Sequence, residues 1–499
     1  MDMQEPYGAV RIGDSNLDRT TPVSPLIYGQ FLEHFHRVVY GGIYQPGHQL
    51  SNDQGFRQDV VEALRRIRVP VVRWPGGCFV SAYHWKDGIG PVREPVFDKA
   101  WRVEDSNGFG TDEFIQWCRL VGCEPYLCTN AGTGTSEEMS DWVEYCNLPT
   151  QGKWARRRIA NGHERPFGVK YWSIGNENWG GHEIGAKDAC EWAKLVRESA
   201  KMMLRVDPTI ELSAASIQDR DWNSRLLDSS GGFLDWISVH GYWDIADNDG
   251  VLSGYEACIA RSLQPEKEID KARELLGSAG LLGKTRVAFD EWNLRGWHHP
   301  YFMDRVDFDI LGFRDRNDRN SSYTMADAVF AACFLNSCIR NADLVGMANF
   351  SPVVNSRGLI GTSDAGLVLR PVYHVFDLFA NHMGDLALES PVGPIPELEL
   401  HDGDATVRLP VLDIAVTRRK GEDCRRTSLV NRSPDQSIDV VLLCQTPEAR
   451  LLSVTSSSTD SFNDSDRPDD VRIRLSLVES MAGQARVTLP PHSVHVLIA

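Results

Sequence analysis

The sequence predicts a (β/α)8 barrel, or TIM barrel, followed by a C-terminal antiparallel β-sandwich domain. Two observations predict this α/β architecture. Between residues 22 and 383, short β-rich apolar runs alternate with longer amphipathic stretches, which is typical of a parallel sheet built from βα units. After residue 384, segments of alternating polarity are separated by Asp, Ser, Pro and Gly clusters, as in antiparallel sheets. A chain of 499 residues accommodates both domains.

Eight apolar runs are predicted as barrel strands. In chain order they are residues 25–31, 69–74, 124–129, 169–174, 210–215, 236–240, 285–289 and 344–350. Amphipathic stretches such as 59–67, 188–206, 269–282 and 325–340 lie between them and predict the outer helices. Eight units over roughly 360 residues indicate a barrel with enlarged loops.

The sandwich is predicted from the alternating segments 405–409, 414–418, 438–443, 471–475 and 494–498. The first twenty residues are too short to fold alone, and Val10–Ile12 is suited to adding a strand to this sheet. We therefore assign residues 22–383 to the barrel, and residues 1–21 plus 384–499 to the sandwich.

Charge and composition exclude several classes of protein. Lys and Arg number 52 against 69 Asp and Glu, and the formal net charge of −17 repels nucleic acid and anionic membrane surfaces. No stretch approaches the length of a membrane span, and no basic and apolar leader stands at residue 1. The odd number of cysteines, 11, is typical of a reducing compartment. We expect a cytoplasmic protein.

Two glutamates carry the functional prediction. Glu177 follows the fourth predicted strand and Glu291 the seventh, so both should lie at the C-terminal face of the barrel, where barrel active sites form. A glutamate in a loop is usually only a surface acid, but both of these stand among amides and aromatic residues. A pair of carboxylates at such a site indicates cleavage of a glycosidic bond.

The neighbouring residues suggest a role for each glutamate. Asn176 can bind the sugar hydroxyl next to the reacting carbon, and the apolar surface of Trp172 and Trp179 is expected to raise the pKa of Glu177 for general acid/base work.

Glu291 is predicted as the nucleophile, kept ionised by hydrogen bonds from Tyr242 and Arg73 on strands six and two. A retaining mechanism requires the two carboxyl groups about 5–5.5 Å apart, and an inverting one roughly 6.5–9.5 Å.

Further residues are expected to line the sugar pocket. Glu33 ends strand one and can bind sugar hydroxyls, and the Pro-Gly-Gly turn at 75–77 allows the backbone to approach a ligand. His298, His299 and Asn349 are weaker candidates. His34 and His36 lack a third ligand at a recognisable spacing, so we expect structural histidines, no metal and no organic cofactor.

Several further motifs lie along the chain. They are Glu33-His34 with residues 40–44, then residues 73–79, 85–90, 175–178, 240–242 and 290–293. Together these motifs resemble those of the intracellular α-L-arabinofuranosidases of glycoside hydrolase family 51. The resemblance implies Glu177 as acid/base, Glu291 as nucleophile, Asn176 on the 2-hydroxyl, Tyr242 and Arg73 on the nucleophile, and Glu33 with Cys78 on the other hydroxyls. It also implies a homo-oligomer, commonly a hexamer.

Two features depart from the family pattern. Asn349 stands where many members have Gln, and residues 349–358 follow a variant found in part of the family. Trp292, Trp297 and Trp179 are expected to stack on the aglycone, without indicating which polymer carries it.

The leading hypothesis is a retaining, exo-acting α-L-arabinofuranosidase that releases terminal arabinose from arabinoxylan or arabinan oligosaccharides. A related β-xylosidase or β-1,4-endoglucanase is the enzyme alternative, distinguished by an open groove in place of a closed pocket. A carbohydrate-binding protein without turnover is the third hypothesis, which the presence of both glutamates disfavours.

Overall fold

Eight parallel strands form a closed barrel, which confirms the predicted TIM barrel. The computed structural model describes residues 9–14, 19–216, 219–245, 251–296, 318–444 and 446–499. The barrel strands are Gly29–Phe31, Val71–Trp74, Glu124–Thr129, Tyr171–Ile174, Glu211–Ala215, Trp236–Ile245, Arg286–Gly296 and Val345–Phe350. They pair in chain order, and the eighth pairs with the first to close the barrel.

Helices surround this barrel, as the amphipathic stretches predict. They are Gln58–Arg66, Thr111–Val121, Ser136–Asn147, Lys153–Ala160, Ala189–Val206, Arg220–Ser230, Tyr255–Ala260, Gln264–Ser278, Met325–Arg340 and Pro371–His382. Ala189–Val206 begins at a capping box, in which the Asp188 carboxylate accepts hydrogen bonds from backbone N–H groups and the Glu191 carboxylate accepts one from the Asp188 backbone N–H. No helix among the described residues has the length and apolar character needed to cross a bilayer.

The strand boundaries differ from the predicted ones in two ways that matter for the site. Residues 25–28 form a short 3-10 helix, Pro25–Tyr28, whose start is capped by Ser24, so the first strand is only three residues long. The sixth and seventh strands run on to Ile245 and Gly296, well beyond the predicted ends. Glu291 therefore lies within its strand, whereas Glu177 lies three residues beyond the end of the fourth.

The C-terminal region forms the predicted antiparallel sheet. Its ten strands are, in spatial order, Val10–Ile12, Ile438–Leu443, Gln484–Leu489, Ile473–Met481, Glu448–Val454, Ser493–Ile498, Arg425–Asn431, Leu412–Arg418, Leu386–Leu388 and Thr20–Pro22. Val10–Ile12 pairs in parallel with its neighbour, and the other pairs are antiparallel. Predicted segment 405–409 instead belongs to a separate hairpin, Glu397–Asp402 with Ala405–Pro410.

Two other hairpins complete the fold. Val96–Asp98 pairs with Val103–Asp105 in the loop after the second barrel strand, and Ile360–Ser363 pairs with Gly366–Leu369 after the eighth. The first of these hairpins matters for function, because its turn carries Trp101 to the open end of the barrel.

A buried helix and an ion-pair cluster join the barrel to the C-terminal sheet. Met325–Arg340 is buried along nearly its whole length because it packs against barrel strands on one side and sheet strands on the other. Asp413 of the sheet accepts hydrogen bonds from Arg432 at 2.6 Å and from Arg340 at 3.1 Å. These cations outweigh the effect of burial and lower the pKa of Asp413, so the bridge is charged.

Candidate active site

Two adjacent acidic residues of the seventh strand both point into the barrel. Side chains of consecutive strand residues normally point to opposite faces. Here the register between the seventh and eighth strands shifts between Phe289 and Trp292, and that between the sixth and seventh shifts near His240. A bulge of this kind lets Asp290 and Glu291 lie inside together.

Glu291 is held through both oxygens. Arg73 donates a hydrogen bond to Oε1 at 2.9 Å, and the Tyr242 hydroxyl donates one to Oε2 at 2.7 Å. Tyr242 also forms a hydrogen bond at 2.8 Å with Oγ of Ser351, the residue after the eighth strand, and this contact fixes the phenol. The structure thus gives Glu291 the two partners that the sequence predicts.

Arg73 connects the acidic groups of the site and is fully buried. Its second terminal nitrogen donates to Asn176 Oδ1 at 2.9 Å, and Nε lies 3.5 Å from Asp290. Burial lowers the pKa of Arg73, but Cys128, Asp290 and Glu291 raise it well above its ordinary value. The guanidinium therefore remains charged, and the opposing charge lowers the pKa of Asp290 to about 2 despite burial.

Glu177 lies across the site on the loop after the fourth strand, with a left-handed backbone conformation (φ 45°). His182 Nε2 is 2.9 Å from Oε2, and His240 Nδ1 is 2.8 Å from Oε1. Burial raises the pKa of this carboxyl, but the two imidazole hydrogen bonds outweigh it and lower the pKa below its usual range. The expectation of a raised pKa is therefore wrong for the free protein.

The two tryptophans expected to raise that pKa do not surround Glu177. Trp172 is fully buried against Trp142, on the helix-facing side of the fourth strand. Trp179 is half-buried beside the ring of His182, at 5.9 Å between centroids. Polar imidazoles, not apolar surface, are the immediate neighbours of the Glu177 carboxylate.

His240 bridges the two glutamates. Its Nδ1 lies 2.8 Å from Glu177 and 3.6 Å from Glu291, while Nε2 lies 3.4 Å from Asp290. Burial lowers the pKa of His240, but these three carboxylates raise it to about 10. Oxygen atoms of Glu177 and Glu291 lie within 4.8 Å of each other, so both carboxylates face one small volume.

Asn176 presents an unused donor to that volume. Its Oδ1 accepts from Arg73, which fixes the amide orientation, and its buried Nδ2 has no hydrogen-bond partner among the described residues. A buried amide N–H without a partner is costly unless a ligand uses it. This arrangement matches the predicted contact of Asn176 with a sugar hydroxyl.

Glu33 forms another wall of the site. Its Oε1 accepts hydrogen bonds from the Phe79 backbone N–H and the Trp101 indole, each at 3.0 Å. The turn after strand two needs glycine here, because a Cβ at residue 76 would lie 2.5 Å from Glu33 Cγ and one at residue 77 would lie 2.6 Å from Oε2. Burial, with Glu291 nearby, raises the pKa of Glu33 to about 8. Its second oxygen therefore carries a proton at neutral pH and can donate as well as accept.

Cys78 stands at the edge of the site beside Glu183. Burial and neighbouring carboxylates, Glu183 first among them, raise the thiol pKa well above its ordinary value, so Cys78 is a neutral thiol. The two residues line a cavity of about 240 Å³ together with His182 and the loop around Lys99. Cys78 is thus in position to contact a ligand, as the resemblance implies.

The remaining predicted site residues have different outcomes. Trp292 is fully buried and stacks on Phe334 at 3.7 Å in the helix layer, so the prediction that it contacts the aglycone is wrong. Asn349 faces the barrel interior, where its Nδ2 donates to the Gln30 carbonyl and its buried Oδ1 has no partner in the described structure. Trp297, His298 and His299 lie outside the described residues.

Sequence reasoning missed His240, Asp290, His182, Trp101 and Ser351 as residues of the site. His240 has the clearest sequence signal, because it stands two residues before Tyr242 and thus on the same face of the sixth strand. The others depend on a bulge or on loop conformation, for which this chain offers no local pattern.

Comparison with known proteins identifies relatives over nearly the whole chain. Residues 63–256 match the family described as Alpha-L-arabinofuranosidase 1 domain, and residues 290–493 match the Alpha-L-arabinofuranosidase C-terminal domain. A probable alpha-L-arabinofuranosidase C of Aspergillus clavatus is 32% identical, with 96% of this chain and 95% of the relative covered. An intracellular exo-alpha-(1->5)-L-arabinofuranosidase of Halalkalibacterium halodurans is 33% identical over 83% of each chain.

Solved structures of α-L-arabinofuranosidases are also similar to this chain. An alpha-L-arabinofuranosidase from Thermotoga maritima, solved as an arabinose complex, is 33% identical with a TM-score of 0.86, covering 98% of this chain and 99% of that one. The GH51 alpha-L-arabinofuranosidase from Thermotoga petrophila is 32% identical with a TM-score of 0.86 over 98% and 99% of the two chains. A bifunctional glucanase-xylanase from a metagenome library, 13% identical with a TM-score of 0.62 over 99% of both chains, shares the fold alone.

The raised pKa of Glu33 predicts a pH-dependent stability. The folded protein keeps this proton up to about pH 8, whereas the unfolded chain releases it near pH 4.5, so rising pH between those values favours unfolding. Glu33→Gln removes this contribution and keeps an acceptor for Phe79 and Trp101. From pH 5 to pH 8, urea denaturation should show the free energy of unfolding of the wild type falling by up to about 4 kcal/mol more than that of Glu33→Gln.

Glu62→Gln, at an exposed position in helix Gln58–Arg66, is the control and should follow the wild-type pH profile. Parallel profiles for wild type and Glu33→Gln would contradict a proton held on Glu33.

Proposed function

The chain belongs to the α-L-arabinofuranosidases of glycoside hydrolase family 51, and from this premise we propose that it is a retaining, exo-acting enzyme with Glu291 as nucleophile and Glu177 as acid/base. The observation that carries the proposal is the short separation of the two carboxylates, whose oxygens lie within 4.8 Å. Retaining glycosidases place these groups about 5–5.5 Å apart, and inverting ones need roughly 6.5–9.5 Å to accommodate a water.

In the first step, a Glu291 oxygen attacks the anomeric carbon of a terminal arabinofuranosyl unit. The bond from that carbon to the glycosidic oxygen breaks, and Glu177 gives its proton to the departing oxygen, so the aglycone leaves as an alcohol. Arg73 and Tyr242 orient Glu291 for attack through hydrogen bonds to its two oxygens. Asn176 Nδ2 donates to the 2-hydroxyl beside the reacting carbon.

In the second step, Glu177 removes a proton from a water that attacks the anomeric carbon, and Glu291 leaves as a carboxylate. Two inversions give net retention. Glu33 and Cys78 bind the remaining hydroxyls, with Glu33 able to donate because it is protonated at neutral pH. Asn349 contributes its Oδ1, which has no partner among the described residues, from the barrel interior.

The proton for the first step is stored on histidine. In the free protein Glu177 is ionised and His240 is protonated, because three carboxylates surround that imidazole. The 2.8 Å hydrogen bond between them provides a direct transfer path when sugar binding excludes water. Once Glu291 is glycosylated, its negative charge is lost, which favours the ionised Glu177 that the second step requires.

The burial of the site supports exo action on a single sugar. The side chains of Glu177 and Glu291 are only 14% and 8% exposed, which favours a glycosidic bond at the end of a chain or at a side branch over one inside a polymer. We propose terminal arabinofuranosyl groups of arabinoxylan and arabinan oligosaccharides as substrates. Both carboxylates and their supporting hydrogen bonds are present, which argues against a binding protein without turnover.

We propose a cytoplasmic location and a homo-oligomeric state, with the hexamer as the expected number. A relative described as intracellular supports the location, as do the cysteines, which are free thiols throughout the chain. Exposed Leu475, Leu477 and Met481 lie on one face of strand Ile473–Met481 and support self-association.

The stereochemistry of hydrolysis tests the mechanism. Proton NMR of 4-nitrophenyl α-L-arabinofuranoside hydrolysis should show the α-anomer of arabinose before it equilibrates. With added azide, Glu291→Ala should form the β-azide by one inversion, and Glu177→Ala the α-azide through the covalent intermediate. Initial release of the β-anomer would contradict retention.

Glu62→Ala is the control for a glutamate outside the site, and 4-nitrophenyl β-D-xylopyranoside tests the pyranoside alternative.

The role of Asn176 can be isolated with a matched pair of substrates. Asn176→Ala should lower kcat/KM on the arabinofuranoside at least about tenfold, which corresponds to the ~1.5 kcal/mol of one hydrogen bond. On the 2-deoxy analogue the same substitution should cost much less, because the hydroxyl it serves is absent. Equal losses on both substrates would place the effect in the Arg73 contact instead.

Self-association is tested by light scattering after gel filtration. The wild type should have a mass that is a multiple of 55.9 kDa. Leu475→Glu combined with Leu477→Glu should shift the mass toward the monomer, while Val92→Glu, at an 83% exposed position in the loop after the second barrel strand, should not. A monomeric wild type would contradict the proposal.

A further inference from the structure

Four metal-binding side chains converge at the edge of the active site. The thiol of Cys78, the carboxylates of Glu177 and Glu183 and the imidazole of His182 each place one ligand atom within 4.8 Å of the other three. Three of the four come from one loop after the fourth strand, and Cys78 comes from the turn after the second. Their sequence spacing resembles no zinc motif, so only the fold brings them together.

Glu183 has the features of an unused ligand. The Ser81 hydroxyl donates to Oε1 and anchors the carboxyl group, whereas the buried Oε2 has no hydrogen-bond partner among the described residues. The side chain has no solvent exposure, and Oε2 lies 4.0 Å from His182 Nε2. A buried carboxyl oxygen without a partner is costly unless the group keeps a proton or a cation binds it.

The position of His182 depends on a glycine. A Cβ at residue 180 would lie 2.3 Å from the His182 ring, so only glycine lets the imidazole fold back over this turn. The ring then directs Nε2 at Glu177 Oε2, 2.9 Å away. The loop conformation thus aims the histidine at the same point as the two carboxylates.

We propose that Cys78, Glu177, His182 and Glu183 bind a thiophilic divalent cation of the Zn²⁺ class. Zinc prefers four-coordinate sites built from Cys, His and carboxylate, at bond lengths of about 2.0–2.3 Å. Reaching those distances requires side-chain movements on the order of 1 Å. With the thiol deprotonated, three negative ligands offset the ion's charge, while exposed Lys99 and nearby Arg102 line the same cavity and oppose it.

A second group of possible ligands is less suitable. Glu177, His240 and Glu291 also converge within 4.8 Å, but Glu291 already uses both oxygens with Arg73 and Tyr242, and the group contains no thiolate. The Cys78 group is therefore the one that the donor chemistry favours.

Cation binding at this site inhibits hydrolysis, a consequence that rests on the proposed role of Glu177. A carboxylate that coordinates a metal cannot give or take a proton, and the ion occupies the edge of the sugar pocket beside Cys78. Binding and inhibition should therefore be reversible together when a chelator removes the metal.

Cobalt(II) titration of the chelator-treated full-length protein tests binding directly. One equivalent should produce tetrahedral d–d bands and a near-ultraviolet thiolate-to-cobalt charge-transfer band, both removed by competing Zn²⁺. Cys78→Ser should abolish the charge-transfer band, and Glu183→Gln and His182→Gln should each weaken binding by about tenfold or more. Cys190→Ser removes the exposed thiol outside the site and should leave the spectrum unchanged.

Activity measurements separate this inference from the proposed function. Zn²⁺ should inhibit the wild type reversibly, and Glu183→Gln should require about tenfold more Zn²⁺. Absent cobalt bands in an active enzyme, or bands that depend on Cys190, would overturn the site. Metal binding without inhibition would overturn coordination by Glu177. A protein that gives the cobalt spectrum but hydrolyses no arabinofuranoside would overturn the proposed function and leave the site standing.

Discussion

The catalytic centre depends on one buried guanidinium. Arg73 has no solvent exposure, yet it contacts Glu291 and Asn176 at 2.9 Å and lies 3.5 Å from Asp290. Burying two adjacent acidic side chains inside a barrel is costly unless a cation offsets that cost. Arg73 supplies that charge. The same side chain fixes the orientation of the Asn176 amide and leaves its buried Nδ2 without a partner among the described residues, which links the proposed sugar contact to the proposed nucleophile.

The shape of strand seven is the second constraint. A regular strand would place Asp290 and Glu291 on opposite faces, and Asp290 would then enter the apolar helix layer. The register shifts around the strand bring both inside, where Asp290 receives hydrogen bonds from Tyr126 at 2.8 Å and Ser238 at 2.6 Å. Strand alternation then resumes with Trp292 packed on Phe334, so the bulge serves the active site without disturbing the core.

The sequence predicts the barrel and the side of it on which both glutamates lie because the apolar strand patterns are local, although strand seven runs on past Glu291 to Gly296. Arg73 and Tyr242 are likewise found from the strands that carry them. Asp290 could not be predicted as a site residue, since nothing in the sequence signals the bulge that turns its side chain into the barrel. Trp292 is a different case: once Glu291 is placed inward, alternation alone would have placed its neighbour outward. The contacts of His182 depend on loop conformation beyond the reach of sequence periodicity.

The acidic residues of the site differ in protonation state, and their pKa values indicate different roles. Burial keeps a proton on Glu33, with a pKa of about 8, while paired charges keep Asp290 ionised at about 2. Glu177 belongs to neither group, because its imidazole neighbours favour the carboxylate, which in the proposed mechanism serves the second chemical step and not the first. Under that mechanism, formation of the Michaelis complex must return a proton from His240 to Glu177. The exclusion of water by the sugar would make this transfer favourable, because an ion pair loses more than a neutral pair when solvent is removed.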